Sequence, residues 1–125
     1  MTEVQDLQSY KLWRREFRLW HYSVSYSRLL IRGLDAASSP RRIDVLFSNV
    51  EHLRINAKYD QLSIEKIDSW SDPRREGFEM VESQHGVIFL VNGGPQLVIA
   101  THCQWSEDEG DAHSTSKFGP FRRTD

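Results

Sequence analysis

Apolar and polar positions alternate with a period of two from Phe17 to Trp105, with interruptions. That is the period of a β-strand, whose successive side chains point to opposite faces. From Phe17 the alternation sets Trp20, Tyr22, Val24 and Tyr26 on one face and Leu19, His21, Ser23 and Ser25 on the other. Leu29-Leu30-Ile31 follows as a second strand. The small polar residues Ser25 and Ser27 mark a turn between the two, so residues 17–33 read as an antiparallel hairpin.

Residues 33–40 form a loop by composition. Ile43, Val45 and Phe47 then alternate with Arg42, Asp44, Leu46 and Ser48 as a third strand. After a bend at Ser48-Asn49, Leu53 and Ile55 alternate with His52, Arg54 and Asn56 as a fourth, and Leu62 and Ile64 mark a short fifth. A polar stretch from Asp68 to Gly77 is the longest surface loop the pattern predicts. Val87 to Val91 is apolar on both faces, as in a strand buried on both sides. Asn92-Gly93-Gly94-Pro95 is hairpin chemistry, because Asn and Gly accept positive φ. The return strand puts Leu97, Ile99, Thr101, Cys103 and Trp105 on one face and Gln96, Val98, Ala100, His102 and Gln104 on the other.

Ahead of these strands, Thr2 and Gln5 have capping-box spacing and Val4 and Leu7 lie three apart, which predicts a short helix within residues 2–13. The expected fold is mainly β, or α+β counting the helix: a small antiparallel β-barrel or two-layer sandwich of about seven strands. Residues 1–105 read as one β-rich domain and 106–125 as an acidic, partly flexible tail that begins at Ser106. Strands without intervening helical patterns argue against a parallel sheet.

Composition narrows the function classes. The chain has 125 residues with 16 basic against 18 acidic, a formal charge of −2. A surface built to neutralise phosphates is normally basic, so this balance argues against nucleic acid. The longest apolar run, Val87 to Val91, is far short of the roughly twenty residues of a membrane-spanning helix. The polar start, Met1-Thr2-Glu3-Val4-Gln5-Asp6, is unlike a signal peptide, and the chain has a single cysteine. The expected location is therefore the cytoplasm.

No catalytic signature emerges. The histidines (His21, His52, His85, His102, His113) lack metal-ligand spacing, although His21 and His102 are placed to meet if their strands are neighbours. His102 and Cys103 are adjacent on a strand and so face opposite ways, and Cys103 reads as a small buried residue. Gly-x-Ser-x-Gly, phosphate-binding and dinucleotide-binding motifs are missing. No cofactor, metal or catalytic residue is nominated. The suggestive feature is a polar row, Arg42, Asp44, His52, Arg54 and Asn56, opposite apolar Ile43, Val45, Leu53 and Ile55. It reads either as a solvated face or as a recognition surface of the kind that favours arginine over lysine. The contact residues it nominates, with histidines and a loop tryptophan added, are His21, Arg42, His52, Arg54, Trp70 and His102.

Leu19 to Arg32, followed by Arg42-Ile43-Asp44-Val45-Leu46-Phe47, resembles a family of small uncharacterised bacterial proteins. They share an aromatic strand, a Val-Ser turn, a Leu-Leu strand ending in Arg, and a basic-Ile-Asp-hydrophobic-Phe strand. The likeness covers about residues 17–65, with a similar style at His113-Ser114 and Gly119-Pro120-Phe121. It implies a bacterial, cytoplasmic origin and no activity. The leading expectation is a non-catalytic binding or protein-interaction module for another protein or a small ligand, with self-association open. The alternatives are a small enzyme with a His/carboxylate pair in a barrel pocket, and a protective partner of a bacterial toxin.

Overall fold

The structure, a computed structural model, describes residues 4–33, 42–67 and 86–108. Every element among them is a strand: β1 (Val4–Asp6), β2 (Tyr10–Trp13), β3 (Phe17–Ser23), β4 (Arg28–Gly33), β5 (Arg42–Ser48), β6 (His52–Arg54), β7 (Lys58–Tyr59), β8 (Leu62–Ile67), β9 (Val87–Val91), β10 (Leu97–Ala100) and β11 (His102–Asp108). They form two antiparallel sheets. One has the order β1-β11-β5-β4-β3-β7 and the other β2-β8-β9-β10-β6. Among the described residues neither sheet closes on itself, so the barrel expectation is not met.

The two sheets share one core. Phe17, Leu29, Ile31, Val45 and Phe47 of the first sheet pack with Leu62, Ile64, Phe89, Val91 and Val98 of the second. Phe47 meets Phe89 edge-on at 5.6 Å between ring centroids, and Trp13 bridges the layers to Phe17 at 5.5 Å and Trp105 at 5.7 Å. Such tilted contacts are the preferred aromatic geometry. Gly33 is in this core because a Cβ there would lie 2.7 Å from the Phe17 ring.

The short N-terminal helix gives way to two strands. Residues 4–6 pair with β11 and residues 10–13 with β8, while the chain crosses between sheets through Leu7 N–H to Cys103 O and Lys66 N–H to Ser9 O. A helix here would bury only a narrow Val4/Leu7 stripe. As strands, the same residues satisfy two open sheet edges and bury Leu7 and Trp13.

Two irregularities break the simple alternation. A β-bulge between Leu19 and His21 shifts the register, Leu19 facing Ile31 but His21 facing Leu30. Leu19 and Tyr22 consequently share a side, and Trp20 is separated from Tyr22 and lies over Arg32. At Thr101 the chain leaves one sheet for the other, so the run from Leu97 to Trp105 is two strands. Val98 and Ala100 face the shared core before the switch, Cys103 and Trp105 after it. A similar corner at Asn49 (φ 55°) sends β5 and β6 into different sheets. The corners are tied by Thr101 N–H to Ser48 O at 3.0 Å and Glu51 N–H to Ile99 O at 2.8 Å. The hairpin after β9 forms as its sequence predicts, with positive φ at Asn92, Gly93 and Gly94.

Candidate functional site

The polar row expected opposite Ile43 and Leu53 does not exist as one face, because β5 and β6 belong to different sheets. Its β5 half is a buried ion-pair ladder. Arg32 donates from Nε and Nη2 to the two Asp44 oxygens at 2.7 and 3.1 Å, with the Arg32 and Asp44 side chains 2% and 0% exposed. Arg42 donates in the same forked manner to Asp108 at 3.0 and 2.9 Å and lies 3.9 Å from Asp44. The register dictates this, since Arg32 faces Asp44 across β4–β5 and Arg42 faces Asp108 across β5–β11. Paired this way, the charges tolerate burial at a cost smaller than that of isolated ions. Arg42 is thus a structural residue rather than an accessible contact. β11 continues through Glu107 and Asp108, which puts the second carboxylate of the ladder on a strand.

The other nominated residues scatter. His21 is half-buried on β3 opposite Leu30, and Arg54 is exposed on β6. His102 is exposed at the Thr101 corner, its Nδ1 2.9 Å from Thr101 Oγ1, which also receives Asn49 Nδ2 at 2.9 Å. Trp70 lies outside the described residues, as do His85, His113, most of the expected 33–40 loop and the expected tail from residue 109 on. His21 and His102 cannot share an ion across neighbouring strands, because β4 and β5 stand between β3 and β11. Among the described residues no group of three or more His, Cys, Asp or Glu is arranged to hold a metal.

His52 is different. It lines a cleft of about 480 Å³ together with Leu19, Tyr22, Leu29, Val50, Glu51 and Leu53. Three local features build the cleft. The β3 bulge brings Leu19 and Tyr22 to one side, the β3–β4 hairpin supplies Leu29, and the Asn49 corner delivers Val50 to Leu53. Val50 N–H donates to Ser27 O at 2.9 Å, clamping the corner to the hairpin, where Ser27 itself has φ 52°. The walls are largely apolar, and the Nε2 of His52 is buried with no hydrogen-bond partner among the described residues. Of the lining residues, Leu19 and Tyr22 are each 37% exposed, and the hairpin turn that follows Tyr22 in the chain exposes Val24 (74%) and Tyr26 (62%).

Groups with displaced pKa lie away from the cleft. The side-chain bond from Arg18 holds the Glu16 carboxyl below its usual range. Burial raises the Tyr59 phenol, which also hydrogen-bonds Gln96 and the Asn56 N–H. Burial alone raises the Cys103 thiol, so the reactive thiolate is strongly disfavoured there.

Sequence reasoning missed most of the cleft. Val24 and Tyr26 left a signal, large apolar residues inside a segment that Ser25 and Ser27 already mark as a turn. Leu19, Val50 and Leu53 left none, because the bulge and the corner that join them are set by pairing across the sheets. Scans against protein-family models and searches of curated proteins and solved structures found no match. The resemblance over residues 17–65 brings no functional residue to the cleft.

Proposed function

We propose that this protein is a non-catalytic binding module whose contact surface is the Leu19/Tyr22/Val50/Leu53 cleft with the hairpin tip beside it. The supporting observation is a largely apolar cleft with a part-exposed Leu19 and Tyr22 in its wall, Tyr22 leading directly into a turn that exposes Val24 and Tyr26. Large apolar side chains gathered at one concave place on a surface mark recognition sites. A cleft of about 480 Å³ falls in the size range of small-ligand sites, roughly 300–1,000 Å³.

The enzyme reading has one observation in its favour: an imidazole and a carboxylate, His52 and Glu51, both line the cleft. Acid–base work needs a base oriented by a partner within hydrogen-bond reach. Among the described residues no hydrogen bond joins these two, and His52 Nε2 has none at all. Binding is the better account of the site.

The test is a titration with ethylbenzene, a neutral apolar probe, followed by the methyl resonances of Leu19, Leu29, Val50 and Leu53. Saturable shifts confined to those methyls and lost in Leu53→Glu support a binding cleft. Shifts that are absent, or spread over the surface without saturation, reject it.

A further inference from the structure

Among the described residues that line the cleft, Glu51 alone is acidic, and its side chain is exposed to solvent. Its backbone is held in place at the corner that leads into β6. Val50 N–H donates to Ser27 O at 2.9 Å and Glu51 N–H to Ile99 O at 2.8 Å. A negative charge is thus carried from a fixed point on the border of an apolar cleft.

The arginines next to the lining residues in sequence do not cancel it. Arg18 precedes Leu19, Arg28 precedes Leu29 and Arg54 follows Leu53, each pair on one strand. Successive strand residues point to opposite faces, so each arginine is carried on the face away from its lining neighbour. The β6–β10 register makes this explicit. Leu53 stands opposite Val98 of the shared core, whereas Arg54 stands opposite Leu97, which belongs to a separate apolar cluster. Arg18 is already engaged, its Nε 2.8 Å from Glu16.

We propose that the cleft takes a small organic cation, an apolar arm ending in an ammonium group, with the arm against the walls and the ammonium on the Glu51 side of the mouth. This rests on the reading of the cleft as a binding site and adds the chemistry of its ligand. The apolar lining (Leu19, Leu29, Val50, Leu53) rewards the arm. Coulomb attraction acts over several ångströms, so a carboxylate at the border selects the sign of the ligand's charge without touching the arm. The Tyr22 ring, part-exposed in the same wall, favours a cation in turn, since an aromatic face attracts positive charge.

The experiment compares three probes on the full chain at low salt: ethylbenzene, benzylammonium (an ammonium in place of the terminal methyl) and phenylacetate. Affinities are read from the methyl resonances of Leu19, Leu29, Val50 and Leu53. Benzylammonium is expected to bind roughly four- to twentyfold tighter than phenylacetate, an exposed attraction and an exposed repulsion combined. Added salt narrows that gap. In Glu51→Gln the cation loses about two- to fivefold in affinity, phenylacetate gains, and ethylbenzene is unchanged. The substitution is at an exposed side chain and keeps the backbone bond to Ile99, so the fold is retained.

Equal affinities for the cation and the anion in the native protein overturn the inference, as does a cation affinity that Glu51→Gln leaves unchanged. Either result leaves the cleft reading intact provided ethylbenzene saturates those four methyls. Failure of ethylbenzene and benzylammonium alike to move them overturns both.

Discussion

Removing Asp44 tests whether the ladder on the first sheet is as dry as its geometry implies. Asp44→Ala takes from Arg32 both bonds of a forked pair at 2.7 and 3.1 Å, in a place where the two side chains are 2% and 0% exposed. It also removes the carboxylate 3.9 Å from Arg42. Arg32 retains the Trp20 ring, its guanidinium carbon 4.9 Å from the ring centroid. A cation–π contact of that kind is worth about 0.5–2 kcal/mol and does not replace a carboxylate. Breaking one side of a buried pair costs about 3–5 kcal/mol, because the surviving charge stays in a low-dielectric place. A fold of this size has roughly 5–15 kcal/mol in total.

The assay is urea unfolding followed by tryptophan fluorescence. With a slope of about 2 kcal/mol per molar urea, the midpoint should fall by roughly 2 M. Asp108→Ala is the internal control. Its side chain is 15% exposed, so its removal opens the 4%-exposed Arg42 to water, and with Asp44 still 3.9 Å from Arg42 the loss should be smaller. The double change Arg32→Met with Asp44→Leu removes both charges and should recover most of the lost stability, since an apolar pair of similar volume often replaces a buried ion pair at no net cost. A loss below about 1 kcal/mol for Asp44→Ala would mean that water reaches the pair as it does at a surface, and the reasoning would fail.

Other outcomes follow from single contacts. Gly33→Ala sets a methyl 2.7 Å from the Phe17 ring, which is fully buried, so a loss of about 1–3 kcal/mol is expected by thermal or urea melting; a neutral result would show that the core yields freely there. Burial raises the Tyr59 phenol above its usual value of 10.0, so the folded state holds the proton longer than the unfolded chain. Its contribution is complete below pH 10.0 and is lost as pH climbs toward the folded value. Urea midpoints between about pH 9 and 11 should fall more steeply for the native protein than for Tyr59→Phe, and parallel curves would refute the assignment. Cys103, 4% exposed with a raised pKa, should resist a thiol reagent at pH 8 until urea unfolds the chain, whereas immediate labelling of the folded protein would show it accessible.

Local chemistry made part of this fold legible. Asn92-Gly93-Gly94-Pro95 carries its own turn, and Val87–Val91 is apolar on both faces because both are buried in the middle of its sheet. The hairpin of β3 and β4 was readable from Ser25 and Ser27 for the same reason. What depended on pairing between distant segments was not. Period-two counting assumes an unbroken strand, and the bulge at Leu19/His21 and the switch at Thr101 each invert the faces that follow. The N-terminal segment has a helix-like cap and yet completes two sheet edges, a tertiary demand that a weak local preference does not resist.

Of the nominated contact residues among the described residues, His52 alone lines the cleft. Arg42 was misread as accessible because its partner, Asp108, is 66 positions away. A clue was present, since Arg32 and Asp44 each follow or interrupt an apolar run (Leu29-Leu30-Ile31 and Ile43, Val45-Leu46-Phe47), a pattern that means pairing when the strands are central.

The most direct test of a ligand-binding cleft is an isotope-filtered NOE spectrum of the protein with ethylbenzene. Cross-peaks from the probe's ethyl and ring protons to the methyls of Leu19, Leu29, Val50 and Leu53 are the predicted result. Cross-peaks to residues elsewhere on the two sheets, with none to these four, would contradict it.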